Sequence, residues 1–254
     1  MTDQDRGRGG VPLTWWPAER GRSTDREPLT RDQIVAAALR VIDTEGLEAL
    51  SMRRLGQELK SGATSLYWHV KDKDQLLDLV LDAVIGEVPL DDDPSQPWRE
   101  RAAHLVRGLR QALLRHRHTA TIFGTRVTLG PATLSGVDYL LGIFRAAGFG
   151  GRDLVLAYQS VLNFGVGFAV FEARPLSGAI TEGRTPEELG RMVSEMLTSL
   201  PRDRFPNLPD CAADMQAVTD DDYFEYGLQR LLDGLELELG RIQARESIGS
   251  GAGG

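Results

Sequence analysis

The sequence has a single cysteine, Cys211, in 254 residues. One thiol cannot close an internal disulfide, so the fold must hold by packing, and this usage predicts a reducing, cytoplasmic setting. Long apolar runs are also missing. The longest weakly polar run, Val161 to Phe171, is broken by Asn163 and falls short of the roughly 20 residues that a spanning helix needs, so no membrane partner is expected. No charged segment followed by an apolar one opens the chain, which predicts no secretory leader. Neither period-two alternation nor an internal repeat appears, which argues against sheets and solenoids. Nucleophile–base pairs, phosphate-cradling loops and metal-ligand spacings are absent as well, so no catalytic residue, cofactor or metal site is assigned. His116 and His118, two apart on an expected helix, point to different sides and do not suggest a metal site.

An excess of positive charge is lacking too, since the formal net charge is -8. Taken alone, that speaks against a nucleic-acid partner. Its distribution speaks for one. Between Ser51 and Lys73 five bases (Arg53, Arg54, Lys60, Lys71, Lys73) face two acids (Glu58, Asp72), a balance of +3. The acid collects elsewhere, in Asp91 to Asp93, Glu187 and Glu188, Asp220 to Asp222, Glu236 and Glu238. A basic head on an acidic body fits DNA binding, because only the contacting face must neutralise phosphates. The head is only modestly basic, so tight binding is expected of a dimer.

What the sequence does contain is helical periodicity. Leu29 to Glu45 carries Ile34, Ala37, Ala38, Val41 and Ile42 as one stripe, with Thr30 and Gln33 placed for a capping box. Ser51 can cap a second helix bearing Met52, Leu55 and Leu59, and Lys60-Ser61-Gly62 supplies a break in which Gly62 is free to take an unusual backbone conformation. A third helix of about two turns follows. Its Ala63 and Leu66 can pack inward with Val70, which leaves Thr64, Ser65, Tyr67, Trp68 and His69 outside. Two hydroxyls, two large aromatics and a histidine on one short helix suit a recognition helix in a major groove, although Tyr67 and Trp68 also fit a packing role. Asp74 to Val88 reads as a connecting helix ended by Pro89.

Residues Leu29 to about Leu81 resemble the DNA-binding domain of the TetR family of bacterial repressors. The resemblance is carried by Leu66-Tyr67-Trp68-His69-Val70-Lys71-Asp72-Lys73 opening into Leu76 and Leu77. Beyond it, Ala112 to Arg115, Gly124-Thr125-Arg126, Gly148-Phe149, Arg152-Asp153 and the Gly227 to Leu239 helix resemble the tetracycline-repressor branch. One departure stands in the head: Lys60 takes the place of the turn's usual glycine. The implied DNA-binding residues are Arg53, Ala63, Thr64, Ser65, Tyr67, Trp68, His69 and Lys73. Thr64 and Ser65 would read base edges, Ala63 a thymine methyl, and Tyr67, His69 and Lys73 would hold phosphates, Lys73 at a helix N-terminus.

Behind the linker the expected helices are Trp98 to Arg117, Pro131 to Ala147, Asp153 to Arg174, Pro186 to Leu200 and Asp220 to Arg245, with Pro201 to Met215, which holds three prolines, read as a loop. The class is therefore all-α. The expected division is a disordered arm over residues 1–28, a helix-turn-helix domain over 29–75, a helical ligand-binding and dimerisation domain over 76–246 and a flexible tail over 247–254. In the arm, Arg6 and Arg8 suit a minor groove or plain solvation, and Trp15 and Trp16 are costly to leave in water. The resemblance makes the nearly apolar helix and the final helix a homodimer's four-helix bundle, and Gly165 and Gly167 would admit a close neighbour.

It also implies a small-molecule effector between the body helices. The candidate lining is His104, Leu109, Phe123, Arg126, Phe144, Asn163, Phe164 and Phe168. The four phenylalanines fit plain core equally well, and His104 fits a satisfied histidine. Where the tetracycline repressor places a metal-binding histidine before the Gly-Thr-Arg turn, this chain has Ile122 and Phe123, so an apolar or aromatic effector without metal suits it better. Read together, these features predict a repressor that binds a palindromic double-stranded operator as a homodimer and is released by a small molecule. An activator or architectural DNA binder without ligand response, and a helical enzyme carrying a DNA-binding head, are the competing readings.

Overall fold

A computed structural model describes residues 29–90, 93–126, 128–174 and 183–251. The arm, with Arg6, Arg8, Trp15 and Trp16, lies outside the described residues, as do Asp91 and Asp92. Every regular element among those described is helical.

The head opens with α1 (Arg31–Glu45), and its capping box forms as expected: the Gln33 amide donates to Thr30 Oγ1 at 3.1 Å and the Thr30 amide to Gln33 Oε1 at 2.9 Å. A 3-10 turn (Leu47–Ala49) leads to α2 (Met52–Glu58), where Ser51 accepts from the Arg54 amide at 3.1 Å. The turn that follows departs from expectation. Gly62 has an ordinary φ of -67°, and Lys60 takes the left-handed φ of +49°. The Ser61 amide reaches the Gly56 carbonyl at 2.9 Å and the Lys60 amide reaches Gln57 at 3.2 Å. This is the double hydrogen bond of a Schellman C-cap, which puts the left-handed residue at Lys60 and leaves none of that geometry for Gly62. A lysine there carries a steric cost of about 1–2 kcal/mol that glycine avoids. Lys60→Gly is accordingly expected to raise the stability of the head by about 1 kcal/mol in urea unfolding, and a variant less stable than the parent would contradict this account.

The helix α3 (Ala63–Leu66), expected as the recognition helix, is one turn long rather than two and is continued by a turn through His69. The chain must open to the extended Asp72, which caps α4 (Lys73–Ile85) by accepting from the Gln75 amide at 2.8 Å. Leu66 and Val70 are buried and sink this segment into a core of Ile34, Ala38, Ile42, Leu55 and Leu76. That burial anchors α3, since each fully buried side chain of this kind contributes about 1.5–3 kcal/mol.

The body contains α5 (Trp98–Arg115), α6 (Arg117–Phe123), α7 (Pro131–Ala147), α8 (Gly151–Glu172), α9 (Pro186–Thr198), α10 (Leu208–Ala217) and α11 (Asp220–Gly251). Three boundaries correct the sequence expectation. The helix expected to run through Arg117 breaks at His116 (φ -113°, ψ 56°), where a new short helix begins. The segment read as a loop contains α10, because Pro209 falls in the helix's first turn, where a missing N–H costs nothing. The final helix continues to Gly251, through residues read as tail.

α8 packs on α5, α7 and α11, while α9 and α10 pack on each other. By length and composition α8 would suffice to cross a membrane. Counting unbroken apolar residues hid this, because Gln159, Ser160 and Asn163 are polar yet uncharged. Gly165 approaches α5 of the same chain, where an added Cβ would lie 2.6 Å from Val106 Cγ1, so its close contact is internal rather than intersubunit. Gly167 has nothing near its Cβ position.

α4 joins head and body. Leu76, Leu77 and Val80 belong to the head core and Val84 to the body core. At its far end, the His116 ring bridges Asp43 Oδ2 at 2.8 Å and Glu87 Oε1 at 3.0 Å, tying α1 to the start of α6. Burial pushes the Glu87 carboxyl up, but hydrogen bonds from Arg115 and His116 outweigh it and hold the group below its usual range.

Candidate nucleic-acid interface and aromatic cluster

Six of the eight expected DNA-contacting side chains are exposed. Thr64 and Ser65 are exposed, Tyr67 is 54% exposed and Trp68 is 87% exposed. An indole left almost wholly in water forfeits a large apolar burial, so its place outside is informative. Arg53 and Lys73 are exposed on the flanking helices. His69 is half-buried, and its carbonyl accepts from Arg31 Nε at 3.3 Å. The side chain of Ala63 lies outside the described residues. Two sequence readings change here. Arg54 is committed within the head, to Glu45 at 2.5 Å and Glu58 at 3.0 Å. Its hydrogen bonds hold the Glu45 carboxyl below the usual range. At the start of α4, Asp72 already occupies the Gln75 amide, so Lys73 offers its charge beside a capped terminus.

The expected effector lining does not converge. Phe164 and Phe168 come together, with ring centroids 6.0 Å apart, and both meet Phe224 of α11, at 5.5 and 5.4 Å. Leu109 is buried on α5, and Phe123 is half-buried against the body core. Phe144 belongs to a different cluster, at 5.7 Å from both Trp98 and Phe149, and is plain core. His104 and Asn163 are exposed, with Asn163 Oδ1 accepting from Gln159 Nε2 at 2.8 Å. Arg126 turns to α4 and pairs with Asp78 at 2.7 Å and Asp74 at 3.1 Å.

The centre of the aromatic group is a residue that the sequence reading missed. Arg110 lies 4.6 Å from the Phe224 ring centroid and 5.7 Å from that of Phe168. It pairs bidentately with Glu172 at 2.9 and 3.1 Å and with Asp221 at 2.6 Å. Its signal was present, since Arg110 interrupts the apolar face of Val106, Leu109 and Leu113. Gly227 completes the packing: a Cβ there would lie 2.7 Å from the Phe164 ring. Around this cluster Arg107 grips Glu225 through two bonds of 2.6 Å, and Arg99 reaches Asp233 and Glu236. The cluster presents packed ring faces about a guanidinium that Glu172 and Asp221 already neutralise. Among the described residues no group of three or more His, Cys, Asp or Glu is placed to hold a metal ion. A separate hollow of about 300 Å³ lies between α9 and α10, lined by Leu189, Val193, Leu197, Ala212 and Met215.

Residues 34–80 match the family profile described as bacterial regulatory proteins, tetR family, and residues 89–239 match the tetracyclin repressor-like C-terminal domain. The chain belongs to the TetR family. It is a helix-turn-helix, DNA-binding transcriptional regulator. A transcriptional regulator of Saccharopolyspora erythraea is 35% identical over 237 residues, covering 91% of this chain and 94% of that one. The transcriptional repressor DrrR1 of Streptomyces coeruleorubidus is 34% identical, covering 89% and 84%. The solved structure of the TetR-family protein ActR of Streptomyces coelicolor in complex with actinorhodin superposes with a TM-score of 0.73 at 36% identity, covering 83% of this chain and 96% of ActR. For a TetR-family chain, the outward aromatic pair in the turn that ends α3 and the Arg110-centred aromatic cluster are the two places where function is to be sought.

Proposed function

We propose that this regulator is a repressor that binds a palindromic operator as a homodimer and is released by a small aromatic effector. The observation that carries this is the exposure of Tyr67 and Trp68 on a segment whose Leu66 and Val70 are sunk in the head core. An anchored segment with its aromatics in water suits a partner surface. Thr64 and Ser65 would meet base edges, with Ala63 beside them, while Tyr67, His69, Lys73 and Arg53 hold phosphates. Dimerisation is supported by apolar side chains left outside on the two longest helices, Val155, Leu156 and Phe171 of α8 and Tyr226 and Leu237 of α11. In the division proposed, residues 29–75 are the head and 76–246 the body, with the head core reaching onto Leu76, Leu77 and Val80 of the connecting helix, and the protein works in the cytoplasm.

The effector is assigned to the aromatic cluster of Leu109, Phe164, Phe168, Phe224 and Arg110, whose ring faces suit an aromatic guest. ActR, similar over most of the chain, was solved in complex with actinorhodin, which supports a small-molecule effector. A ligand releases DNA only if it binds one head spacing better than the other. The test is footprinting on DNA flanking the coding region, repeated with aromatic metabolites extracted from the source cell. Protection of an inverted repeat that an extract abolishes is the expected result. Protection that no extract relieves would favour a regulator without ligand response, and no protection at all would remove the operator.

A further inference from the structure

The connecting helix α4 carries a carboxylate on every fourth residue of one face, Asp74, Asp78 and Asp82, and the body takes up all three. Arg126 holds Asp74 and Asp78. Asp82 does something different. Its carboxylate accepts from the amides of Ala132 at 3.2 Å and Thr133 at 2.8 Å, and from the Thr133 hydroxyl at 2.9 Å. Those amides open α7, whose own N-cap is Gly130, with no side chain to offer, followed by Pro131 with no N–H. Asp82 therefore caps α7 from another helix, with its negative charge at the positive end of the helix dipole. The fit leaves no slack, because a Cβ on Gly130 would fall 2.1 Å from Asp82 Cγ.

We propose that Asp82 is the fulcrum of α4: a positioning residue that pins one point of the connecting helix to the body and so sets the pitch at which the head presents α3. The inference rests on the repressor reading for its consequence, not for its geometry. Nine residues separate Asp82 from Lys73, which is about 13 Å along a helix axis. A turn of about 10° at the fulcrum then displaces the start of α4 by about 2 Å. Hydrogen bonds to base edges do not survive a displacement of that size. Head orientation is thereby governed by a capping bond between helices, with Arg126 holding the arm on the head side of the pivot.

The test uses the full chain in a Cys211→Ser background, spin-labelled at Glu48→Cys in the head and Arg145→Cys in the body, both exposed positions, and diluted with unlabelled subunits so that the intrachain distance is read. Asp82→Ala is expected to broaden the head-to-body distance distribution and to lower affinity for the footprinted duplex about tenfold. Asp82→Asn, which keeps one acceptor, should hold the distribution close to that of the parent and lose less than half of that effect on a logarithmic scale. A distribution unchanged in Asp82→Ala overturns the proposal. So does an equal broadening by both variants with a matching fall in thermal midpoint, which would mark a merely structural residue. If the parent binds no DNA while Asp82→Ala still broadens the distances, the fulcrum stands and the repressor reading falls.

Discussion

Replacing Tyr67 with alanine is expected to weaken operator binding by about 30- to 150-fold, and by the same factor on every operator variant. The residue is half in water on a segment anchored by Leu66 and Val70, so its removal leaves the head fold intact. A homodimer loses two hydroxyl–phosphate bonds at about 1–1.5 kcal/mol each, which gives the range above. Ser65→Ala should behave differently. An exposed hydroxyl that reads a base edge carries sequence information, so its loss reorders a panel of half-site variants and changes the best site only modestly. Fluorescence anisotropy across such a panel separates the two roles. A uniform loss for both variants would erase the division between phosphate and base contacts.

The second large effect concerns the body. Glu172→Leu is expected to destabilise the protein by about 3 kcal/mol, because it strips a bidentate partner from a buried guanidinium. Both side chains of the pair are only 10% exposed, whereas the remaining partner, Asp221, is 80% exposed and offers weaker compensation. For a chain of this size that corresponds to a thermal midpoint lower by about 6–12 °C. The double variant Arg110→Met with Glu172→Leu should recover most of the loss, since an apolar pair of similar volume removes the uncompensated charge. A Glu172→Leu midpoint within about 2 °C of the parent would show that Arg110 is hydrated in solution.

Much of the head was legible because its signals are local. Thr30 with Gln33, Ser51 and the spacing of the buried aliphatics each act within a few residues, and α1 and α2 appear where those residues place them. The turn is different: local sequence offers Gly62 for the unusual backbone conformation, while the hydrogen bonds of the C-cap place it at Lys60. In the body, periodicity located the long helices but not the break at His116, whose ring is held by carboxylates 73 and 29 residues away. The effector lining suffered most. Knowing that a residue lies on a helix does not say which neighbouring helix it meets, so Phe144 went to one aromatic cluster and Phe164 and Phe168 to another.

What this sequence determined by itself is the all-α class and the helix-turn-helix, since each follows from side chains a turn or two apart. Only the tertiary structure decided that Tyr67 and Trp68 face outward, that Arg110 is the centre of an aromatic cluster, that Arg126 belongs to α4 and that Asp82 caps a helix fifty residues further on. Those are meetings between distant segments. Charge and hydrogen-bonding capacity can be read from a residue's identity, but the partner that satisfies them is chosen by how the helices cross.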